Sequence, residues 1–219
     1  MNALIFPGQG SQFPGMGVDL YKSNERAKKM FTTANKILNF DIANIMFEGS
    51  LEDLKQTNVT QPAIFIHSTI LAKCITNFIP DMVAGHSLGE FSALVAATTL
   101  SFEDGLKLVK KRAELMHVAC QEKKSAMAAI IGLQSDLIDE ICQNASGVVV
   151  PANYNSPGQV VISGDYKAIE ETCKILSKKG AKRALILPVA GAFHSPLMLS
   201  AEKELKETIN KMEFHKPIC

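Results

Sequence analysis

The sequence predicts an α/β fold with parallel strands, and three observations lead to this prediction. Short apolar runs alternate with segments that have the three-to-four-residue apolar spacing of a helix. A glycine–x–serine–x–glycine motif, Gly85 to Gly89, stands where one of these runs passes into a helical pattern. From Ala126 to Pro188 the elements follow the order β-α-β-β-α-β, which predicts a ferredoxin-like unit.

The first part of the chain supplies the elements of the parallel core. Ala3 to Phe6 predicts a short buried strand, which the glycine-rich run from Pro7 to Gly10 ends. Met82 to Gly85 predicts the strand before the serine motif. Helices are predicted at 24–38, from Gln61 to about Phe78 with Pro62 in the first turn, at 88–98, and from a cap at Ser101 to about Cys120.

The chain after the charged stretch 121–124 has a different pattern. It predicts strands at 127–132, 148–152, 160–163 and 183–188, helices at 136–144, 168–179 and 196–211, and an incoming strand from Phe214 to Cys219. We therefore predict a larger α/β domain at 1–124, a ferredoxin-like subdomain at 125–189, and a return to the larger domain at 190–219.

The composition excludes several classes of protein. A chain of 219 residues with 47% hydrophobic content is long enough to bury a sizeable core. The 23 basic and 22 acidic side chains balance, so there is no electrostatic footprint for nucleic acid. No apolar run is long enough to cross a bilayer, and no signal peptide is visible. The five cysteines lack Cys-x-x-Cys spacing, which argues against zinc and a disulfide framework and favours a reducing, intracellular compartment.

The serine motif predicts a nucleophile. A strand-to-helix turn exposes the hydroxyl of Ser87, and glycines on both sides let the strand and the helix approach closely. The N–H of Leu88 then points at the carbonyl oxygen of a bound ester. So short a motif is equally compatible with a plain structural turn.

A serine nucleophile needs a base, and five histidines are candidates. His86 adjoins Ser87 in the chain, so its side chain is expected on the opposite face. Packed or solvated positions are expected for three others, His67, His117 and His215. His194 lies in a loop after the last strand of the predicted subdomain, which favours it as the base.

Two further features have both a functional and a structural interpretation. The loop from Pro7 to Gln12 offers the N–H of Gln9 to the oxyanion of an acyl transfer, or it forms only a tight turn or a phosphate cradle. No Gly-x-Gly-x-x-Gly or P-loop lysine pattern supports nucleotide binding. Composition favours a solvated basic face for Arg112, whereas a substrate carboxylate would give its guanidinium a two-pronged partner.

Four segments in a fixed order carry a family resemblance. They are Gly8 to Gln12, Gly85 to Glu90, Asn153 to Ile162 and Gly191 to Met198. Together they resemble the malonyl-CoA:acyl-carrier-protein transacylase family, and the resemblance runs from end to end of the chain. It implies a hydrolase-like α/β domain with a ferredoxin-like insert, in agreement with the order of elements.

The resemblance implies a role for each matching residue. Ser87 takes the malonyl group from coenzyme A, and His194 activates it and later protonates the leaving thiol. Gln9 and Leu88 supply the N–H groups of the oxyanion hole. Three further residues are implied to form the malonyl pocket. Arg112 holds the carboxylate, Gln61 lines the pocket, and the ring of Phe193 crowds an α-methyl branch.

The implied reaction is a ping-pong transfer in fatty-acid biosynthesis, in the cytoplasm or an organelle stroma. Its expected partners are malonyl-CoA and the phosphopantetheine thiol of acyl carrier protein, with neither nucleic acid nor membrane. Both acyl donors are thioesters, so no cofactor or metal is expected, and the sequence has no cluster with metal-ligand spacing. Carrier proteins of this pathway are acidic, so a basic rim is expected from Lys107, Lys110, Lys111, Lys182 and Arg183.

Family members continue beyond the position of Cys219. They add a strand, a segment whose backbone carbonyl accepts the second N–H of the catalytic histidine, and closing helices. We therefore expect this sequence to be a fragment in which His194 is less well oriented. Two alternatives remain open, namely a serine thioesterase or hydrolase on the same motif, and a non-catalytic module that binds acyl carrier protein.

Overall fold

A computed structural model describes residues 1–76 and 78–219 of the chain. Its elements divide into two compact units, of which one comprises residues 1–114 with 207–219 and the other residues 115–206. The first unit contains a parallel pair of strands and the second an antiparallel sheet, each accompanied by helices. The predicted α/β class is therefore confirmed, whereas the predicted domain boundaries at 124 and 189 stay a prediction.

The parallel strands of the first unit are β1 (Ala3–Phe6) and β2 (Met82–Gly85), with the predicted bounds. They pair in register along their whole length, and the N–H of His86 continues the pairing by donating to the carbonyl of Phe6 at 3.0 Å. Parallel strands have their carboxyl ends at the same edge. The loop after β1 and the turn after β2 therefore lie side by side.

Helices connect and follow these two strands. They are α1 (Val18–Ser23), α2 (Glu25–Leu38), α3 (Ile42–Glu48), α4 (Leu51–Lys55), α5 (Thr57–Cys74), α6 (Gly89–Ala96) and α7 (Phe102–Glu122). Polar side chains define where two of the predicted helices begin. Asn24 accepts from the first turn of α2, and the Ser101 hydroxyl accepts from the N–H of Asp104 in α7 at 3.0 Å.

Helix α5 begins before Gln61, so the prediction that places Pro62 in its first turn is wrong. The hydroxyl of Thr60 donates to the carbonyl of Leu54, which ties the early turn to the preceding chain. Pro62 lacks the N–H that the helix would use, and the helix continues with this one bond missing. The predicted end near Phe78 is also wrong, because the helix ends at Cys74 and residues 75 and 76 are not helical. Residue 77 lies outside the described residues.

Residues 115–206 are all described, and four strands form the antiparallel sheet of this second unit. Its elements are β3 (Ser125–Ile131), α8 (Ser135–Gln143), β4 (Val149–Ser156), β5 (Gln159–Asp165), α9 (Tyr166–Lys178) and β6 (Arg183–Ile186). The strands lie in the order β4-β5-β3-β6. The β-α-β-β-α-β order is the one that the sequence predicts.

Strand β3 is buried on both faces of this sheet. Ala128 and Ile130 belong to one apolar cluster, with residues of α8 and α9. Met127 and Ala129 belong to another cluster, which contains Phe193. A strand buried on both faces has a continuous apolar sequence rather than an alternating one, as β3 does.

The last part of the chain differs from its prediction in one respect. A 3₁₀ turn (Pro196–Met198) leads into α10 (Leu199–Ile209), so the predicted helix at 196–211 begins with a tighter turn. Residues 214–219, all described, do not form the predicted strand. Their N–H groups at His215 and Ile218 donate to the carbonyls of Thr99 and Ala97, just after α6, instead of to a strand.

Candidate active site

Ser87 lies in the tight turn between β2 and α6 with a left-handed backbone, at φ 53°. Few residues other than glycine adopt this conformation, and those that do cluster at functional sites. The turn is closed by the N–H of Gly89, which donates to the His86 carbonyl at 3.0 Å, and by that of Glu90, which donates to the Ser87 carbonyl at 3.2 Å. Ser87 is half-buried and Leu88 is buried.

Close backbone packing beneath this turn explains the two glycines of the motif. A Cβ atom on Gly85 would collide with the backbone of Gly89 and Glu90. A Cβ atom on Gly89 would collide with the carbonyl of Phe6 at the end of β1. The Gly-x-Ser-x-Gly spacing is therefore a packing requirement of the turn that presents Ser87.

The loop after β1 packs against the residue that precedes Ser87. A Cβ atom on Gly8 would lie 2.7 Å from the carbonyl oxygen of His86 and 2.8 Å from its Nδ1. The Ser11 hydroxyl donates to the Gly8 carbonyl at 2.8 Å and closes this loop. The structure therefore brings the loop that carries Gln9 against the Ser87 turn, as the sequence predicts for two parts of one site.

Arg112, on α7, is buried beside Ser87. Its Nη2 donates to Ser87 Oγ at 3.0 Å, and its Nη1 donates to Gln61 Oε1, on α5, at 2.5 Å. Arg112 is 8% exposed and Gln61 is fully buried. The interpretation of Arg112 as part of a solvated basic face is therefore wrong, because the helix turns this side chain inward.

The charge of Arg112 is held in poorly solvated surroundings. Burial lowers the pKa of Arg112 to about 10, an effect that the negative charge of Glu90 partly offsets. The centre of the guanidinium lies 5.6 Å from the centroid of the Phe91 ring, within the range of a cation–π contact. Its two hydrogen-bond acceptors, Gln61 and Ser87, are neutral. A buried cation whose hydrogen-bond acceptors are neutral is chemically suited to pair with an anion.

His194 lies in the second unit, in the loop between β6 and the 3₁₀ turn. It is exposed and has a left-handed backbone, at φ 56°. The hydroxyl of Ser163 donates to the carbonyl of Phe193 at 2.7 Å, and the N–H of Ala192 donates to the hydroxyl oxygen of Ser125 at 3.1 Å. Serine side chains of two strands, β5 and β3, therefore hold the loop by hydrogen bonds to the two residues just before the histidine.

Phe193 and Gly191 pack this loop onto the second unit. The Phe193 ring is buried in the apolar cluster that includes Leu115 and Met127. A Cβ atom on Gly191 would collide with the sulfur of Cys120, so the loop needs a glycine where it passes α7. The implied role of the Phe193 ring in crowding an α-methyl branch stays a prediction.

The structure gathers most of the sequence-predicted site residues in the first unit. Those in direct contact around the Ser87 turn are Ser87, Leu88, Gln61 and Arg112, and the Gln9 loop adjoins them. His194 and Phe193 are neighbours in the second unit.

Sequence reasoning missed three side chains that support these residues. Phe91 lies in the first turn of α6, four residues after Ser87, and a lone phenylalanine in a helix gives no signal that its ring adjoins an arginine. Ser163 directly follows the Asn153 to Ile162 motif, but nothing in the sequence indicates its partner. Ser125 gives no signal of its own.

Two further features are absent from the described residues, 1–76 and 78–219. Among them, no group of three or more His, Cys, Asp or Glu side chains could hold a metal ion. No helix formed by those residues is long and apolar enough to cross a membrane.

Comparisons with known proteins identify the family of this chain. Residues 3–218 match the family described as acyl transferase domain. A malonyl CoA-acyl carrier protein transacylase of Staphylococcus aureus is 45% identical over 215 residues, which cover 97% of this chain and 70% of that relative. This chain belongs to the malonyl CoA-acyl carrier protein transacylase family. The transacylase of Bacillus subtilis is 44% identical over 213 residues, which cover 95% of this chain and 67% of its own length.

Solved structures of transacylases have the same fold. The transacylase of Coxiella burnetii superposes with a TM-score of 0.94 at 40% identity and covers 98% of this chain and 70% of its own. Another solved structure is of a type II polyketide acyl-carrier protein in complex with its malonyl-transacylase. A chain of this structure superposes on the present chain with a TM-score of 0.94 at 39% identity, and the match covers 98% of this chain and 71% of that one. The chain thus spans about 70% of the length of these family members.

Substituting Gly89 with Ala tests the close packing beneath the Ser87 turn. The added methyl has no room against the Phe6 carbonyl, so we expect a loss of about 3 kcal/mol or more in the free energy of unfolding, measured with urea. Gly158→Ala is the control, because Gly158 has φ 76° but open space around its Cβ position, and a loss of only about 1 kcal/mol is expected. Equal losses in the two variants would contradict the packing argument.

The lowered pKa of Arg112 predicts that its charge destabilises the fold near neutral pH. With a folded-state pKa of about 10, below the ordinary pKa of an arginine, the folded chain binds this proton more weakly than the unfolded chain. The destabilisation is full below pH 10 and declines as the pH rises above 10 towards the ordinary pKa of an arginine. The double variant Gln61→Leu/Arg112→Met, which leaves no buried amide behind, is expected to be more stable by roughly 1–4 kcal/mol at pH 7.

Urea unfolding of the double variant measures this effect. Arg26→Met is the control, since Arg26 is an exposed arginine that donates to the carbonyl of Lys73, and it should bring no gain. A double variant that is less stable than the parent chain would show that the charge is better compensated than its pKa indicates.

Proposed function

We propose that this chain transfers malonyl from malonyl-CoA to the phosphopantetheine thiol of acyl carrier protein through a malonyl ester of Ser87. The observation that carries the proposal is the 3.0 Å hydrogen bond between Arg112 and Ser87 Oγ. The carboxylate carbon of a malonyl ester lies at most about 4 Å from the ester oxygen, given ordinary bond lengths. A malonyl group on Ser87 therefore has its carboxylate within reach of the guanidinium.

The charge of Arg112 gives the site a reason to prefer malonyl. A carboxylate neutralises the buried cation, which its neutral acceptors, Gln61 and Ser87, do not. An acetyl group carries no charge, so it does not compensate the positive charge of the guanidinium. The site should therefore bind an acyl group with a terminal carboxylate more tightly than an acetyl group.

The chemical steps use the residues that surround the turn. Ser87 Oγ attacks the thioester carbonyl while His194 takes the hydroxyl proton, and the C–S bond then breaks as His194 gives this proton to the departing sulfur. N–H groups of Leu88 and Gln9 stabilise the oxyanion between these events. In the second half His194 takes the proton of the phosphopantetheine thiol as the sulfur attacks the malonyl ester. The C–O bond to Ser87 then breaks, and His194 gives this proton to Ser87 Oγ.

The local geometry supports these roles in different ways. The strained backbone of Ser87 is typical of a presented nucleophile, and the Gln9 loop adjoins the turn through Gly8 and His86. His194 is exposed on a loop that its own unit holds in place. The reaction exchanges one thioester for another, so we propose that it requires no metal and no cofactor beyond its two substrates.

The partners and the setting follow from the relatives. Proteins with this fold include a transacylase in complex with its acyl-carrier protein, and we propose an acyl carrier protein of fatty-acid biosynthesis, in the cytoplasm, as the acceptor. The basic rim that would receive it stays a prediction. One of its members, Lys107, forms an ion pair with Asp104 at 3.0 Å.

Intact mass spectrometry tests the proposal. Incubation with malonyl-CoA should add one malonyl group to the chain, and Ser87→Ala should prevent it. Later addition of phosphopantetheinylated acyl carrier protein should remove the group and give malonyl-carrier protein. Release of free malonate instead would favour a thioesterase, and a folded chain that gains no adduct would contradict both enzyme functions.

Arg112→Ala tests the origin of malonyl selectivity. We expect malonylation of Ser87 to slow by about a hundredfold or more, because the variant loses the buried partner of the carboxylate. Transfer from acetyl-CoA should change far less, and Arg112→Lys should lie between the two, since an ammonium lacks the two-pronged geometry. Equal losses for malonyl and acetyl would remove the proposed role.

A further inference from the structure

The loop that carries His194 holds this residue in an unfavourable backbone conformation. Its φ of 56° brings the Cβ close to the following carbonyl, which residues other than glycine avoid. Such a residue keeps this conformation only when its neighbours fix the backbone around it. The contacts that fix the loop therefore decide where the imidazole lies.

Three hydroxyl groups fix the backbone next to this histidine. Ser163 donates to the carbonyl of Phe193 at 2.7 Å. Ser125 accepts from the N–H of Ala192 at 3.1 Å, and Ser195 donates to the Ala192 carbonyl at 2.6 Å. Each of the two residues before the histidine is thus held by at least one hydroxyl.

Ser163 differs from the other two hydroxyls in its burial. It is 0% exposed on β5, opposite Met127 of β3 and surrounded by apolar strand residues. A hydroxyl in such a position is costly unless it is hydrogen-bonded. Its bond to the Phe193 carbonyl, between the sheet and the loop, gives this buried polar side chain its partner.

This hydrogen bond lies one peptide group before His194, so it affects the backbone conformation of that residue. The carbonyl of Phe193 and the N–H of His194 belong to the same planar peptide group. Fixing the direction of that carbonyl fixes the rotation of the peptide, and with it the ψ of Phe193 and the φ of His194. A hydrogen bond from the core of the sheet thereby sets the direction in which the imidazole leaves the backbone.

We propose that Ser163 is a positioning residue for His194. Its hydroxyl holds the peptide before the histidine so that the imidazole keeps the orientation in which it exchanges a proton with Ser87. The inference rests on the function proposed above and assigns a role to the residue that directly follows the Asn153 to Ile162 motif. Because Ser163 also holds the backbone of Phe193, it fixes two residues of the site at once.

Two matched variants separate the hydrogen bond from the space that the side chain fills. Ser163→Ala removes the hydroxyl, and Ser163→Cys keeps a side chain of similar size but is only a weak donor. Ser177→Ala is the control, because Ser177 makes a comparable bond to the carbonyl of Cys173, at 2.8 Å, within α9 and away from the loop.

Hydrogen–deuterium exchange measures the loop directly. We expect amides of residues 192–198 to exchange about tenfold faster in both Ser163 variants, and no faster in Ser177→Ala. Unchanged exchange in Ser163→Ala would overturn the proposal. This measurement does not depend on activity, so it decides whether Ser163 fastens the loop even if the parent chain gains no malonyl group, a result that would count against the proposed function alone.

Single-turnover malonylation of Ser87 distinguishes positioning from mere stability. In both Ser163 variants we expect the maximal acylation rate to fall by about tenfold, while the malonyl-CoA concentration for half-saturation, which Arg112 determines, stays the same. Ser177→Ala should change neither quantity. Acylation at the parent rate in a Ser163 variant, or a loss that appears only in the half-saturating concentration, would overturn the role assigned to Ser163.

Discussion

The first unit depends on one steric constraint, the contact of three backbone segments beneath Ser87. The carbonyl end of β1, the end of β2 and the first residues of α6 approach so closely that Gly85 and Gly89 have no room for a side chain. This contact forces the chain into the tight turn at Ser87. It also aligns the two loops that follow β1 and β2, and it gives α6 the direction that places Phe91 against Arg112. Ser87, its neighbouring loop and its charged partner Arg112 are all positioned by this packing.

The buried guanidinium of Arg112 lowers the stability of the fold. Apolar residues at positions 61 and 112 would pack between α5 and α7 without the desolvation that lowers the pKa of Arg112. The chain instead keeps a cation with neutral acceptors next to a strained serine. In the function proposed above, a bound carboxylate would relieve this unfavourable state, so part of the affinity for the substrate would come from the desolvated charge of the empty site.

The parts of the fold that a sequence can predict are those determined by local pattern. The glycines of the Ser87 motif, the Ser101 cap and the β-α-β-β-α-β order are local signals, and the structure has each of them. The start of α5 is different, because a bond from Thr60 to the preceding chain outweighs the preference of Pro62 for a first turn. The helix therefore begins before the position that the local preference of Pro62 predicts, because the contact between Thr60 and Leu54 is not visible in the sequence.

The site itself divides in the same way. The serine motif indicates Ser87, and the family resemblance indicates that Gln61 and Arg112 belong to the pocket. Composition alone, however, predicts that the side chain of Arg112 is exposed to solvent. Its burial depends on the rotation of α7 relative to α5, which is a property of packing. Ser163 and Ser125 give no signal at all, since a single serine in a strand is common. Their partners in the histidine loop are separated from them by 30 and 67 residues, so only the folded chain reveals them.

Ser87 and His194 share a conformation that is rare outside glycine, and the two units stabilise it by different means. At Ser87 the turn is held by close backbone packing, since a Cβ atom on Gly85 or Gly89 would collide with main-chain atoms. At His194, side-chain hydroxyls hold a loop that is otherwise exposed, so the conformation depends on individual hydrogen bonds. The nucleophile role proposed for Ser87 is suited to the first arrangement, because a nucleophile must keep one geometry in both half-reactions. The base role proposed for His194 is suited to the second, because hydrogen bonds hold a loop in place while they allow it small adjustments.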